Sequence, residues 1–365
     1  MTEPYTKKYD LAIIGAGMAG MAAAMFAANR GISTAIVGSL GESWFTGGLI
    51  DLMGVHPTGN AKTWQDPWAA IQAVIEDIPD HPYARIPAED IKAALQEFYA
   101  FLNDFGLPYR TRNDLNSGVM TAFGAIKTTH GVPQTMWPGV TAYSRKAPCL
   151  IVDMQGLKGF SARLVTERLK PEWPGLKALS IPSIYSDQGH EINPVPLAHD
   201  LEFAQHRQKL AESILPHTND VEFIGLPAVL GVHQADKVVD EIGELLGKPV
   251  FEIPALPPSI PGMRLKETFL RFLPSKDIHC LFQKHVLKAT VKSGNEFSLD
   301  IGRTEHEHTI RADAVLLATG RFLGGGLHSD HTTVTEPLFN LPVFQPRTRE
   351  LWHEDRFFEP NGHAV

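Results

Sequence analysis

A run of apolar residues, Leu11 to Ile14, leads without a break into Gly15-Ala16-Gly17-Met18-Ala19-Gly20 and then into an alanine-rich stretch. This pattern predicts a strand, a tight turn and a helix. Each glycine has its own physical duty: Gly15 permits the bend, Gly17 lets backbone come close to a phosphate, and Gly20 lets the helix pack against the sheet. The first amides of such a helix point at the phosphate with partial positive charge. A nucleotide phosphate is therefore expected at this turn.

The unit continues through Gly31, suited to a helix C-terminus, into a second strand at residues 34–37. At the end of that strand an Asp or Glu usually holds an adenosine ribose, and here stand Gly38 and Ser39. The missing carboxylate weakens the case for an adenine dinucleotide such as FAD, for which Glu42 would be a late substitute clamp, whereas a mononucleotide flavin such as FMN has no adenosine ribose to hold. Ser39 and the small turn residues Thr46, Gly47 and Gly48 are predicted to approach the ring or phosphate.

Length and composition narrow the classes. With 365 residues, two domains are expected, one interrupting the other. A formal charge of -8 supplies no basic surplus for nucleic acid. No apolar stretch reaches the roughly 18 to 20 residues of a membrane span, and residues 1–10 lack the apolar core of a signal peptide, which predicts a cytoplasmic chain. Cys149 and Cys280 are the only cysteines. They build neither a zinc site nor an iron–sulfur cluster, and read as buried thiols in a reducing compartment. No HxxxH pair or acidic cluster with metal spacing stands out, so no metal is expected, and there is no GxSxG nucleophile turn.

Residues 60–87 read as a surface excursion, and residues 88–105 as an amphipathic helix with Ile91, Leu95, Phe98, Leu102 and Phe105 on one face. Further α/β signatures follow: strands at 149–152, 221–226 and 250–253, and a helix at 235–246. The polar stretch 171–196 reads as loop or lid, with disorder as the alternative. From Val286 a meander is expected, with strands at 286–291, 297–301 and 309–310. A separate buried strand, 314–317, then runs into Ala318-Thr319-Gly320, with Gly324-Gly325-Gly326 beyond. The fold class is thus α/β: a split Rossmann-like flavin-binding domain with a small antiparallel meander, residues 1–60 and 280–365, around an inserted α/β substrate or cap domain, residues 61–279.

Taken together, the glycine turn, the meander and Ala318-Thr319-Gly320 resemble flavin-dependent oxidoreductases related to fumarate reductase and glycerol-3-phosphate dehydrogenase. His81-Pro82-Tyr83, residues 124–129, the proline-rich run 255–265, Gly325-Gly326-Leu327 and Glu336-Pro337 resemble the B subunits of anaerobic glycerol-3-phosphate dehydrogenases. The resemblance implies an FMN-bearing subunit that acts beside a larger FAD-containing catalytic subunit and an iron–sulfur, membrane-anchoring subunit that reduces quinone. It places the chain in the cytoplasm, peripheral at the inner face of the cell membrane. Members of that family continue past the position of Val365 into a glycine-rich segment that closes the flavin site, so the resemblance implies either that this chain is a fragment or that its flavin site is completed otherwise.

Oxidising a phosphate-bearing secondary alcohol needs a proton acceptor and cations for the phosphate. Arg264, in its proline-braced run, is the candidate anion binder or else a structural ion pair. Lys127 could serve the phosphate or the flavin, and His130 follows as candidate base, with His328 as another histidine near a glycine run. Two other readings stay open: a stand-alone FAD-dependent, fumarate-reductase-like enzyme acting on a small carboxylate, and a flavin-free scaffold or assembly subunit.

Overall fold

A computed structural model describes residues 6–57, 59, 61–183, 191–292, 294, 296–343 and 345. The chain divides into two compact units, Met1–Ser43 with Lys266–Val365, and Trp44–Leu265.

The apolar run at the start lies in β1 (Thr6–Ile14), followed by α1 (Met18–Asn29) and β2 (Thr34–Gly38). Gly31, at φ +67, ends α1 in the left-handed conformation that a Cβ disfavours. Every residue of β2 is buried, as suits a strand between two parallel neighbours.

The Trp44–Leu265 unit opens with α2 (Pro67–Asp77) and α3 (Ala88–Asp104). The excursion expected at 60–87 thus holds a helix. Asp66 accepts hydrogen bonds from Trp68 N at 2.9 Å and Ala69 N at 3.1 Å, with Pro67 in the first turn, while Ala70, Ile71 and Val74 are buried. Four short strands follow: β3 (Tyr109–Arg110), β4 (Ser117–Met120), β5 (Ile126–Thr129) and β6 (Val132–Pro133), with β3 antiparallel to β6 and β4 antiparallel to β5.

Beyond α4 (Trp137–Arg145) come β7 (Cys149–Met154), α5 (Ala162–Leu169), β8 (Leu176–Ile181), α6 (Pro194–Asp200), α7 (Ala204–Ile214), β9 (Phe223–Pro227), α8 (Ala235–Leu246) and β10 (Val250–Ile253). The four strands form one parallel sheet in the order β10-β9-β7-β8. Side-chain alternation splits it cleanly. Leu150, Val152, Ile224 and Val250 join a core with residues of α6, α7 and α8. Cys149, Ile151, Phe251 and Ile253 join another with residues of α4 and α5. Here β8 corrects the loop expected over 171–196. It is an edge strand whose middle residues are largely exposed, so it lacks the apolar run that marked β7 and β10. The rest of that stretch, residues 184–190, lies outside the described residues.

Helix α9 (Ile260–Ser275) leads to β11 (His279–Phe282), β12 (His285–Val291), β13 (Phe297–Gly302) and β14 (His306–Leu317). The first unit's sheet has the order β11-β2-β1-β14-β13-β12. It is parallel from β11 to β14 and antiparallel from β14 to β12. The two strands expected at 309–310 and 314–317 are one, because β14 pairs with β1 from Thr309 to Leu317 while its first half also closes the meander. Tyr9, Ala12, Val37, Leu299, Ile301 and Ala312 are among this unit's core residues.

Candidate functional site

In the first unit the glycine turn is held from both sides. Gly15 N donates to Val37 O at 2.7 Å, and Ala318 N donates to Ile14 O at 2.7 Å. Gly15 has φ +112, and a Cβ there would stand 2.1 Å from Ala318 O. A Cβ on Gly20 would stand 1.9 Å from Gly15 O, and one on Gly38 2.6 Å from Ala16 N. Beyond β14, a Cβ on Gly326 would meet Gly320 O at 2.2 Å and the Thr319 hydroxyl at 2.4 Å. Gly15, Gly20, Gly38 and Ala318 thus converge where only backbone fits.

Gly17 is the N-cap of α1, with extended backbone (φ -73, ψ -175), no side-chain cap and no acidic residue in the first turn. The positive end of α1 is left to an outside anion, which is the fit a flavin phosphate requires. Ser39 is exposed just past β2, and Gly320 has φ +70.

Thr46, Gly47 and Gly48 belong to the second unit, where they pack on the proline-rich run. Ser259 Oγ donates to Thr46 O at 2.5 Å, Ser259 N to Trp44 O at 2.9 Å, and Tyr109 Oη to Gly48 O at 2.5 Å. Gly48 has φ +79, and a Cβ there would stand 2.5 Å from Pro261 Cβ. Ile50 extends this loop to residues 129–131: His130 N and Gly131 N donate to Ile50 O at 3.2 and 2.9 Å.

His130 is 2% exposed. Its Nδ1 shares a hydrogen bond of 2.9 Å with Tyr99 Oη, and its buried Nε2 has no partner. Burial outweighs the pull of Asp114 and holds the imidazole pKa below its ordinary value, so the ring is neutral at neutral pH. Tyr99 stacks on both His130 and Tyr109, and burial pushes both phenol pKa values up. Lys127 is half-exposed and paired with Asp51 at 2.6 Å.

Arg264 takes the structural alternative, which corrects its assignment as anion binder. Only 3% exposed, it donates to both Glu252 carboxylate oxygens at 2.6 and 2.8 Å, to Gly231 O at 2.7 and 2.9 Å, and to Leu230 O at 3.2 Å. Its guanidinium is committed to the protein interior. Sequence reasoning missed Glu252, hidden in the apolar run of β10, and Tyr99, one position off the apolar stripe of α3; neither carries a local signal. His328 is exposed in a two-residue strand, His328–Ser329. Burial raises the thiol pKa of Cys149 to about 12 and that of Cys280 to about 11.

The sequence pattern of the family described as "FAD binding domain" matches residues 10–364. Among curated proteins, the B subunit of the anaerobic glycerol-3-phosphate dehydrogenase of Aliivibrio fischeri (strain MJ11) is 27% identical, over 97% of this chain and 82% of that protein. Its counterpart from Pectobacterium atrosepticum is 28% identical, over 97% and 84%. Among solved structures, a 3-ketosteroid dehydrogenase from Rhodococcus jostii RHA1 is 13% identical, with a TM-score of 0.37, over 88% of this chain and 48% of that one. The chain spans about half the length of that structure.

Proposed function

The chain belongs to the FAD binding domain family, and from that premise we propose that it is the flavoprotein B subunit of an anaerobic glycerol-3-phosphate:quinone dehydrogenase. It oxidises glycerol 3-phosphate to dihydroxyacetone phosphate or relays the electrons of that oxidation toward quinone. One observation carries this reading: the similarity to those B subunits runs over 97% of the chain and more than four-fifths of each relative, far beyond the nucleotide-binding turn.

The residues proposed to hold the flavin are Gly15, Gly17, Gly20, Ser39, Ala318, Thr319 and Gly320 of the first unit. Bound flavin supplies the hydride acceptor of an alcohol oxidation. The family description speaks for FAD, whereas the carboxylate-free end of β2 speaks for FMN; we take FAD first. The first unit is then the flavin-binding domain and Trp44–Leu265 the substrate domain.

For the substrate's proton we assign His130. With its Nδ1 proton donated to Tyr99, the neutral ring presents an accepting lone pair at Nε2. Lys127, three residues earlier, is the cation assigned to the substrate phosphate, in competition with Asp51. The partners proposed are a larger FAD-containing catalytic subunit and an iron–sulfur membrane-anchoring subunit, which would hold this chain at the inner face of the membrane. Among the described residues no helix is long and apolar enough to cross a membrane.

The test is Gly17→Asp in the full chain. Its extended backbone accepts an aspartate, which caps α1 and places negative charge where the phosphate would bind. We expect unchanged or slightly raised thermal stability with loss of flavin absorption, and an unaltered chain that is yellow and bleached by glycerol 3-phosphate with its catalytic partner present. A colourless unaltered chain would speak for the scaffold, and reduction by a small carboxylate couple instead would speak for the fumarate-reductase-like enzyme. Mass identification of the released flavin decides between FAD and FMN.

A further inference from the structure

The sequence shows no histidine pair at metal-ligand spacing, yet the Trp44–Leu265 unit gathers three donors from separate segments. His199 is in the last turn of α6, Glu202 lies just past the end of that helix, and His233 precedes α8. One ligand atom from each lies within 4.8 Å of the other two. The imidazole rings are 5.6 Å apart and inclined by 46°. We propose that His199, Glu202 and His233 form a binding site for a borderline divalent transition-metal ion, with zinc as its type.

The site is built, not merely crowded. Glu202 Oε1 accepts three backbone N–H bonds, from Val232 at 2.9 Å, His233 at 2.5 Å and Gln234 at 3.3 Å, which fixes the carboxylate and leaves Oε2 for an ion. The loop that supplies these amides is itself anchored from behind. Leu230 N donates to Glu252 at 2.9 Å, and Arg264 donates to the carbonyls of Leu230 and Gly231. Gly231, at φ +82, makes the turn between the buried anchor and the exposed donors. Anchoring the loop ahead of α8 explains the carboxylate, but it does not explain why two imidazoles meet over it.

The donor chemistry selects the ion. Two imidazole nitrogens and one carboxylate oxygen suit Zn2+ and its neighbours, whereas Mg2+ and Ca2+ prefer all-oxygen shells. Three protein ligands leave a fourth tetrahedral position for water. A tetrahedral ion with bonds near 2.0 to 2.1 Å sets its ligands about 3.3 Å apart, so the three donors, now within 4.8 Å of one another, would draw together on binding. His199 and Glu202 are half-buried, so an ion can enter without unfolding the unit. Bound there, it would clip the end of α6 to the start of α8, two of the helices that cover the same face of the parallel sheet.

The experiment uses the full chain with its flavin, stripped by chelator and titrated with Zn2+, then with Co2+ as a coloured substitute. We expect one equivalent per chain at micromolar Kd or tighter, visible Co2+ bands of a low-coordinate site, and a raised melting temperature. His199→Ala and His233→Ala should each weaken binding about tenfold or more with an unchanged circular-dichroism spectrum, while His217→Ala should leave it intact. His233 is exposed, so its variant tests the site even where another fails to fold. Binding weaker than millimolar, or binding unchanged in the His199→Ala/His233→Ala double variant, would overturn the proposal.

Discussion

The turn at the head of α1 and the interior of the Trp44–Leu265 unit build precise geometry by opposite means. Around Gly15, Gly20 and Gly38 the decisive fact is a missing side chain, since a Cβ at any of them would stand 1.9 to 2.6 Å from backbone. Around Arg264 the decisive fact is a matched pair of charges, with Glu252 completely enclosed and both carboxylate oxygens engaged. Steric exclusion allows a single residue type and has no partner to compensate it. A buried ion pair can be exchanged as a pair, but not broken by halves.

The sharpest way to separate the two is Gly15→Val. Its positive φ and the 2.1 Å approach to Ala318 O leave no relaxed conformation, so a loss of more than about 4 kcal/mol is expected. A denaturation midpoint equal to that of the unaltered chain would show that the turn yields. Next in size, Arg264→Met should cost about 3–5 kcal/mol by stranding Glu252, and adding Glu252→Gln should recover much of it. Stability left intact with a raised KM for glycerol 3-phosphate would instead restore Arg264 as a substrate anchor.

Asp236, in the first turn of α8, gives a smaller effect. Burial, with Glu252 and Asp240 adding to it against Arg264, raises its pKa to about 6. The folded state therefore holds a proton that the unfolded state has lost above about pH 4, so stability falls as pH rises from 4 to 6 and stays lower beyond. Asp236→Asn should stabilise the protein at pH 7 to 8, on the order of 1 kcal/mol after solvent screening, and leave it unchanged below pH 4. His130 tests the same linkage with the opposite sign. Its folded-state pKa is lowered, so the unfolded chain binds the extra proton and stability should decline as pH falls below 6.5. His130→Gln should flatten that slope in melting curves from pH 5 to 8; an unchanged slope would place the titration elsewhere.

What could be read from the chain follows the same division. The glycine turn, α8, β7 and β10 were legible because each is local: glycine spacing, an amphipathic period, a short apolar run. The start of α2, at Asp66-Pro67, was missed because the surrounding Trp, Pro and Asp read as a surface excursion. β8 was hidden because an edge strand needs apolar residues at few of its positions. β14 was split in two because its turn-like Arg311-Ala312-Asp313 gives no sign of continuous pairing with β1. His130, Tyr99, Glu252 and Arg264 acquire their partners across 12 to 34 residues, a distance at which periodicity is silent.

The pairing of β1 with β14 also sets a timetable for synthesis. Thr6 lies against Thr309, so the first strand made waits for a partner about 300 residues later, roughly 15 to 60 s at ordinary elongation rates. Through most of that wait both outer edges of the β1–β2 pair are open, that of β2 until β11 is made and that of β1 until β14, while Trp44–Leu265, with its own parallel sheet and cores, is already complete. A ribosome paused before residue 309 should therefore carry a protease-resistant middle behind a protease-sensitive beginning, and the chain's need for chaperone protection should be concentrated in its first forty residues.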